Sequence, residues 1–285
     1  MSATLRAWLS RALPHTLLLP AALLVLMPFL WMLGTAFKPP AEIFEVSLWP
    51  LPRSWFGFTH FQEVLRSAPM GRFMLNGLLV CSGILAVQLL VAVPAAYALA
   101  RREFPGKRWV MLLFLVPLMV PPVSYGIPLA TVLYQLGPGG TVWGVILANL
   151  VPTVPFVILV MIPFIEQIDP RIESAARVFG ASTFQLFIRV LVPMLAPGVL
   201  AALLLVMVRT IAMFELTFLT AGPTSQTLVV ALYYAVFASG VRAVQSIDAM
   251  AVIYMTITLL WLLIALRFVN PTQLVSRVKQ PTPSK

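Results

Sequence analysis

The stretch Asp169–Pro193, DPRIESAARVFGASTFQLFIRVLVP, decides how the whole chain is read. Asp169 suits a helix N-cap, and Pro170 suits the first helical position, where a missing N–H costs nothing. Glu173 and Arg177 stand four apart in the order that favours pairing on one helix face. Ala175 and Ala176 keep that helix low enough for another backbone to approach. Gly180 supplies the left-handed conformation that closes a helix. Ser182, with Gln185 three residues on, forms a capping box for a second helix. Phe184, Phe187 and Ile188 give that helix an apolar side for the membrane or the first helix. Pro193 opens the apolar run that follows. The pattern predicts a short, stiff helix–turn–helix with no nucleophile–base set.

Its surroundings are different. Of the 285 residues, 60% are hydrophobic and 10% are charged. Soluble domains are roughly 45–50% apolar and about 25% charged. A chain of this size has too little interior to hide so much apolar surface, so the bilayer is its solvent. A span needs about 20 apolar residues, and six runs qualify: 14–37, 73–100, 108–136, 141–165, 190–219 and 247–268. The expected fold is an all-α membrane protein of six transmembrane helices, with a cytoplasmic coupling helix–turn–helix between spans four and five. Residues 1–71 hold an N-terminal segment, the first span and an outer loop. Residues 72–269 form the transmembrane core, and 270–285 a cytoplasmic tail. The start has the basic, then apolar order of a signal peptide, but its apolar run is too long and an uncleaved span is expected. The piece around 226–240 is too short to cross and is read as a helix at the interface.

Charge sets the orientation. The net charge is +10, from 19 Lys and Arg against nine Asp and Glu. With the N-terminus inside, the outer loops hold Lys38, Arg53, Arg66, Arg72 and Arg242. Arg209 lies within a span, and the other 13 cations fall on the cytoplasmic side. The positive-inside rule therefore favours both termini in the cytoplasm, and the Asp169–Arg189 segment with them. The cations form no continuous groove, so a nucleic-acid partner is not expected. Trp49 and Trp55 of the first outer loop read as interfacial anchors. Cys81, the single cysteine, can form no internal disulfide, and with His15 and His60 isolated it builds no metal site.

Prolines interrupt the spans. Pro117, Pro121, Pro122 and Pro128 crowd one segment, and Pro152 and Pro155 another. Each removes a backbone donor and bends its helix. In lipid the freed carbonyl needs a new partner, so such breaks either line a pathway or kink a packed bundle. Ionisable residues within spans are pathway candidates. Span five carries Arg209 and Glu215, six positions apart. On one helix that is about 9 Å of rise and roughly 240° of rotation, which keeps them from pairing. Asn149 and Tyr125 are further pathway candidates; Asn76, Gln88 and Tyr254 suit interhelical hydrogen bonds.

The opening segment resembles the cytoplasmic signature loop of ABC-importer permeases, the membrane subunits of binding-protein-dependent uptake systems. That pattern is E-A-A, three residues, G, nine residues, then I-x-L-P. Here it reads Ser174-Ala175-Ala176, Gly180 and Val190-Leu191-Val192-Pro193 at matching spacing. Ser174 stands in place of the motif glutamate, with Glu173 just before it, and Phe179 replaces an acidic residue common before the glycine. The stretches MLNGLLV, PAAYALARREFPGKR, VPLMVPP and IPLATVLYQLG resemble the carbohydrate-type branch in the same order. The resemblance implies a bacterial inner-membrane subunit that pairs with a second permease, in a homodimer or, more in keeping with this branch, a heterodimer. It implies that Glu173, Ser174, Ala175, Ala176, Arg177 and Gly180 dock on a cytoplasmic ABC ATPase dimer. An extracytoplasmic binding protein would deliver the solute. The chain itself contains no G-x-x-x-x-G-K-[ST] phosphate loop, so no cofactor and no enzymatic activity of its own are expected. Scarce intramembrane charge favours a sugar, oligosaccharide or polyol. Of the W-N-E-F common at the end of span five in that branch only Glu215 remains, so polyamine, ferric-ion and phosphorylated-polyol import stay open. A secondary transporter is disfavoured by the lack of an inverted repeat and of a chain of titratable groups.

Overall fold

The computed structural model describes residues 3–44, 52–55, 57–237 and 243–268, and all regular structure among them is helical. Helix α1 covers Ala3–Thr35, with its apolar window at Leu18–Thr35. A single 3-10 turn at Pro40–Phe44 and a short helix α2, Thr59–Ser67, follow. Then come α3 (Met70–Arg101), α4 (Lys107–Met119), α5 (Pro122–Leu136) and α6 (Val142–Glu166). The chain continues with α7 (Pro170–Val178), α8 (Thr183–Ala212), α9 (Glu215–Thr220), α10 (Leu228–Phe237) and α11 (Val244–Phe268). Helices α1, α3, α6, α8 and α11 are long and apolar enough to cross a membrane. At ten residues, or about 15 Å, α10 is too short to span. Residues 238–240 of that segment, Trp49, Arg242 and the tail 270–285 lie outside the described residues.

The run 108–136 is not the single rod expected of it. Helices α4 and α5 meet at an angle of 102°. The cause is the tandem Pro121-Pro122. A residue before proline is pushed out of the helical region. Val120 is accordingly extended at φ −86°, ψ 128°, and Pro121 follows at φ −57°, ψ 135°. By contrast, α6 keeps Pro152, Pro155 and Pro163 inside one continuous helix, so the expected interruption there is absent. No two of those prolines adjoin, and more than half of the apolar window of α6 (56%) is enclosed by neighbours.

Two π-helical turns resolve two other prolines. Gln88–Ala92 precedes Pro94 within α3, and Leu186–Leu191 precedes Pro193 within α8. Proline leaves the carbonyl four residues back without a donor and crowds it. A wider turn relieves both, and the N–H just before each proline reaches back five residues, Val93 to Gln88 and Val192 to Phe187. The second helix of the predicted helix–turn–helix therefore does not stop at Pro193. It runs unbroken into span five.

The chain forms two compact units, Met1–Met70 with Leu232–Thr256, and Gly71–Ala231 with Ile257–Lys285. In the first, Phe37 lies 5.3, 5.6 and 5.1 Å from the rings of Trp55, Phe58 and Phe61. The Lys38 ammonium stands 5.1 Å from the Trp31 ring. Glu42 accepts hydrogen bonds from the Arg53 and Ser54 amides and the Ser54 hydroxyl, which hold its carboxyl below the usual range. The Ser246 hydroxyl donates to Glu63 at 2.8 Å.

The second unit packs α3, α6 and α8 together. Val80, Ile84, Ala92 and Ala96 of α3 meet Val157, Ile158 and Met161 of α6 and Leu195, Ala202 and Val206 of α8. Lipid is as apolar as leucine, so close packing rather than water exclusion must hold these helices, and small residues permit it. Gly198 shows the tightness: a Cβ there would stand 2.8 Å from the Phe164 ring.

Candidate functional site

The helix–turn–helix forms as its local chemistry dictates. Asp169 caps α7 by accepting from the Arg171 amide at 2.9 Å. At the other end Gly180 has φ +82°. Its amide bonds the Arg177 carbonyl at 2.9 Å, and the Ala181 amide bonds the Ala176 carbonyl at 3.1 Å. These are the two bonds of a Schellman closure. Ser182 and Gln185 exchange the two bonds of a capping box at 3.0 and 3.3 Å. One turn of chain thus ends a helix and starts the next with most orphan backbone groups satisfied.

The faces divide differently from the expectation. Glu173 does not pair with Arg177. Its Oε1 lies 2.7 Å from Nε of Arg101, and its Oε2 accepts from the Tyr97 hydroxyl at 2.6 Å. Arg101 also donates through Nη2 to the Ile168 carbonyl. The two charged side chains are 12% and 14% exposed. Helix α7 therefore turns Glu173 and the half-buried Ala176 inward, and presents Ser174, Ala175 and Arg177 outward. Val178 and Phe179 form an exposed apolar tip, at 84% and 91% exposure. Across the turn, Phe184 and Ile188 are exposed, while Phe187 turns in and meets the Tyr97 ring edge-on at 5.7 Å.

The second cluster is at the far end of span five. Helix α8 stops at Ala212, Met213 is extended, and α9 begins at Glu215. Arg209 and Glu215 are therefore not on one helix. Arg209 occupies the last turn of α8 and Glu215 the first turn of α9. Each end suits its charge, by about 0.3–1 kcal/mol at an exposed site. A central charge costs about 2.5–3.5 kcal/mol on insertion, so the dipoles offset only part of it. The rest calls for another partner. The Arg209 guanidinium stacks on the Phe156 ring at 4.7 Å. Neither charge forms an ion pair with any described residue.

Tyr125, on α5, packs against the cluster of Leu133, Ala148 and Leu216 within electrostatic reach of both charges, and its buried hydroxyl has no described partner. Asn149 is fully buried. Its amide donates to the Val145 carbonyl at 2.8 Å and to Thr217 Oγ1 at 3.3 Å, while Oδ1 has no described partner. The Gln88 amide donates to Thr153 Oγ1 at 2.9 Å, and Thr153 donates to the Asn149 carbonyl at 2.7 Å. A polar ladder thus joins α3, α6 and α9. Asn76 ties the loop before α10 by donating to the Thr224 and Gln226 carbonyls.

Sequence reasoning missed Tyr97, Arg101 and Asp248. The first two stand four apart at the end of α3, a spacing that puts both on one helix face. Arg101 reads from sequence as one more basic loop residue. Asp248 is a half-buried carboxylate near the start of α11. No group of three potential metal ligands occurs among the described residues.

The family model for the binding-protein-dependent transport system inner membrane component matches residues 89–279. The chain is 32% identical over 190 residues to the diacetylchitobiose uptake system permease protein NgcG of Streptomyces coelicolor, covering 67% of this chain and 62% of that one. It is 30% identical over 183 residues to the trehalose transport system permease protein SugB of Mycobacterium tuberculosis, covering 64% and 66%. The chain thus spans less than two thirds of the length of these relatives. A bacterial ABC transporter that imports the acidic polysaccharide alginate has the same fold, with a TM-score of 0.79 at 18% identity, over 95% of this chain and 99% of that one. With two thirds of its length under that family model, the chain belongs to the binding-protein-dependent transport system inner membrane components.

Proposed function

We propose that the chain is the translocating subunit of an ATP-driven importer in a bacterial plasma membrane, with both termini in the cytoplasm. The observation that carries this reading is the capped helix–turn–helix, exposed at Ser174, Ala175, Arg177, Val178 and Phe179 and continuous with span five. A stiff projection with an apolar tip suits a cleft on a cytoplasmic ABC ATPase. Closure of the ATPase dimer would move α7, and α8 would carry that motion into the membrane. A second permease, most simply a different chain, completes the pathway, and an extracytoplasmic protein delivers the solute. Family membership and the fold shared with an alginate importer support this arrangement.

The solute is a sugar, oligosaccharide or polyol. Relatives named for diacetylchitobiose and trehalose favour it. The pathway residues are Arg209, Glu215 and Tyr125, with Asn149 behind them in the polar ladder. Purification in mild detergent tests the reading: an ATPase co-purifies, and sugar uptake by vesicles stops without ATP while the ion gradient is kept. Uptake that follows the ion gradient, with no ATPase bound, would show a secondary transporter.

A further inference from the structure

We propose that Tyr97, Arg101 and Glu173 form a strut that passes movement of α7 into α3, so that the docking helix acts on a span to which it is not joined in the chain. The inference rests on the reading of α7 as the ATPase-docking helix. Covalently, α7 is joined to α6 through residues 167–169 and to α8 through the Gly180 turn, and it has no such link to α3.

The end of α3 supplies a link that the chain itself does not. Tyr97 and Arg101 share one face, and together they take both oxygens of the Glu173 carboxylate. The Tyr97 contact is a short charge-assisted hydrogen bond at 2.6 Å, and the Arg101 contact is a close ion pair at 2.7 Å. Arg101 at the same time holds the Ile168 carbonyl, just before the Asp169 cap. The Tyr97 ring meets Phe187 of α8 at 5.7 Å and 68°. One helix end therefore grips the segment before α7, the body of α7 and the start of α8. The charged partners are nearly enclosed, so water screens them little.

From Arg101 the helix leads back through the bilayer. Thirteen residues away, about 20 Å along the axis, stands Gln88. Gln88 opens the ladder through Thr153 and Asn149 to Thr217 of α9, two residues from Glu215. A contiguous chain of contacts thus links the docking helix to the pathway residues. Contiguity permits coupling, and a double-mutant cycle measures it.

Cys81, the single cysteine, lies buried in α3, so its modification reports how often the helices around it open. The test uses the complete complex in proteoliposomes. Maleimide modification of Cys81, read on this chain by mass spectrometry, is compared with and without a trapped ATP analogue. In the wild type the modification rate changes by about fivefold or more, the lower end of ordinary coupling. In Arg101→Gln and in Glu173→Gln the response falls below about twofold, and the double variant responds no less than either single one. Exchanging the charges, Arg101→Glu with Glu173→Arg, restores part of the response, which a merely structural role would not. Tyr97→Phe keeps the ring on Phe187 and loses one donated bond, so it carries the test if the charge variants fail to assemble; its response is intermediate. A wild-type Cys81 indifferent to nucleotide, or variants that respond as fully as the wild type, would overturn the strut. Failure of an ATPase to co-purify with the wild type would instead overturn the docking reading beneath it.

Discussion

The two clusters at either end of α8 are opposites. At the Gly180 end, charges and caps are matched: Glu173 accepts from the Tyr97 hydroxyl and forms an ion pair with Arg101, Arg101 Nη2 donates to the Ile168 carbonyl, and Asp169 and Ser182 cap their helices. At the Ala212 end, the Tyr125 hydroxyl and the Asn149 Oδ1 lack described partners, and Arg209 stacks on an aromatic ring without an ion pair among the described residues. A buried donor or acceptor without a partner costs about 1–3 kcal/mol. A region that keeps several such groups is shaped to receive something. A region whose charges pair with one another is shaped to hold its form under load. The first description fits a pathway and the second a lever.

Four changes break or sharpen that contrast. The largest effect is expected from Gly180→Val. A β-branched residue at φ +82° costs on the order of 1–3 kcal/mol in place. The turn escapes by changing shape, so uptake per ATP hydrolysed falls by about tenfold or more, while the chain still reaches the membrane; both are measured in vesicles. Next comes loss of the strut through Arg101→Gln, read at Cys81 as above. Arg209→Ala follows. It removes an embedded charge, so the amount of assembled complex holds or rises while sugar uptake drops severalfold; unchanged uptake would remove Arg209 from the pathway. The smallest effect belongs to Tyr125→Phe. Removing a buried hydroxyl that has no described partner holds or raises thermal stability. A marked loss of stability would mean that the hydroxyl is held by water or by the second permease.

What could be read from the sequence was what is local. The N-cap, the left-handed glycine and the capping box each join residues two to five apart, and all three stand where they were expected. The apolar runs marked the five helices long enough to cross and the bent pair beside them, since length and hydropathy need no tertiary knowledge. What escaped was contact at long range. Glu173 and Arg177 satisfy the pairing rule, yet Glu173 takes Arg101, which is 72 positions away in the chain and closer in the fold. Proline misled in both directions. Pro193 read as a boundary but is absorbed by a π turn, and Pro152 and Pro155 read as breaks but stay within an enclosed helix. Only the adjacent pair Pro121-Pro122 bends its segment sharply. The break at Met213 has neither glycine nor proline to announce it, and it moves Glu215 to the start of a new helix.

The account stands or falls on which side of the membrane the Gly180 turn lies and on what it touches. Ser174→Cys, in a Cys81→Ser background, places one thiol on the exposed face of α7. In intact cells that thiol should resist a membrane-impermeant maleimide, and in opened vesicles it should react and cross-link to a nucleotide-binding subunit. Labelling from outside intact cells, or a purified complex whose Ser174→Cys thiol cross-links to no such subunit, would contradict the account.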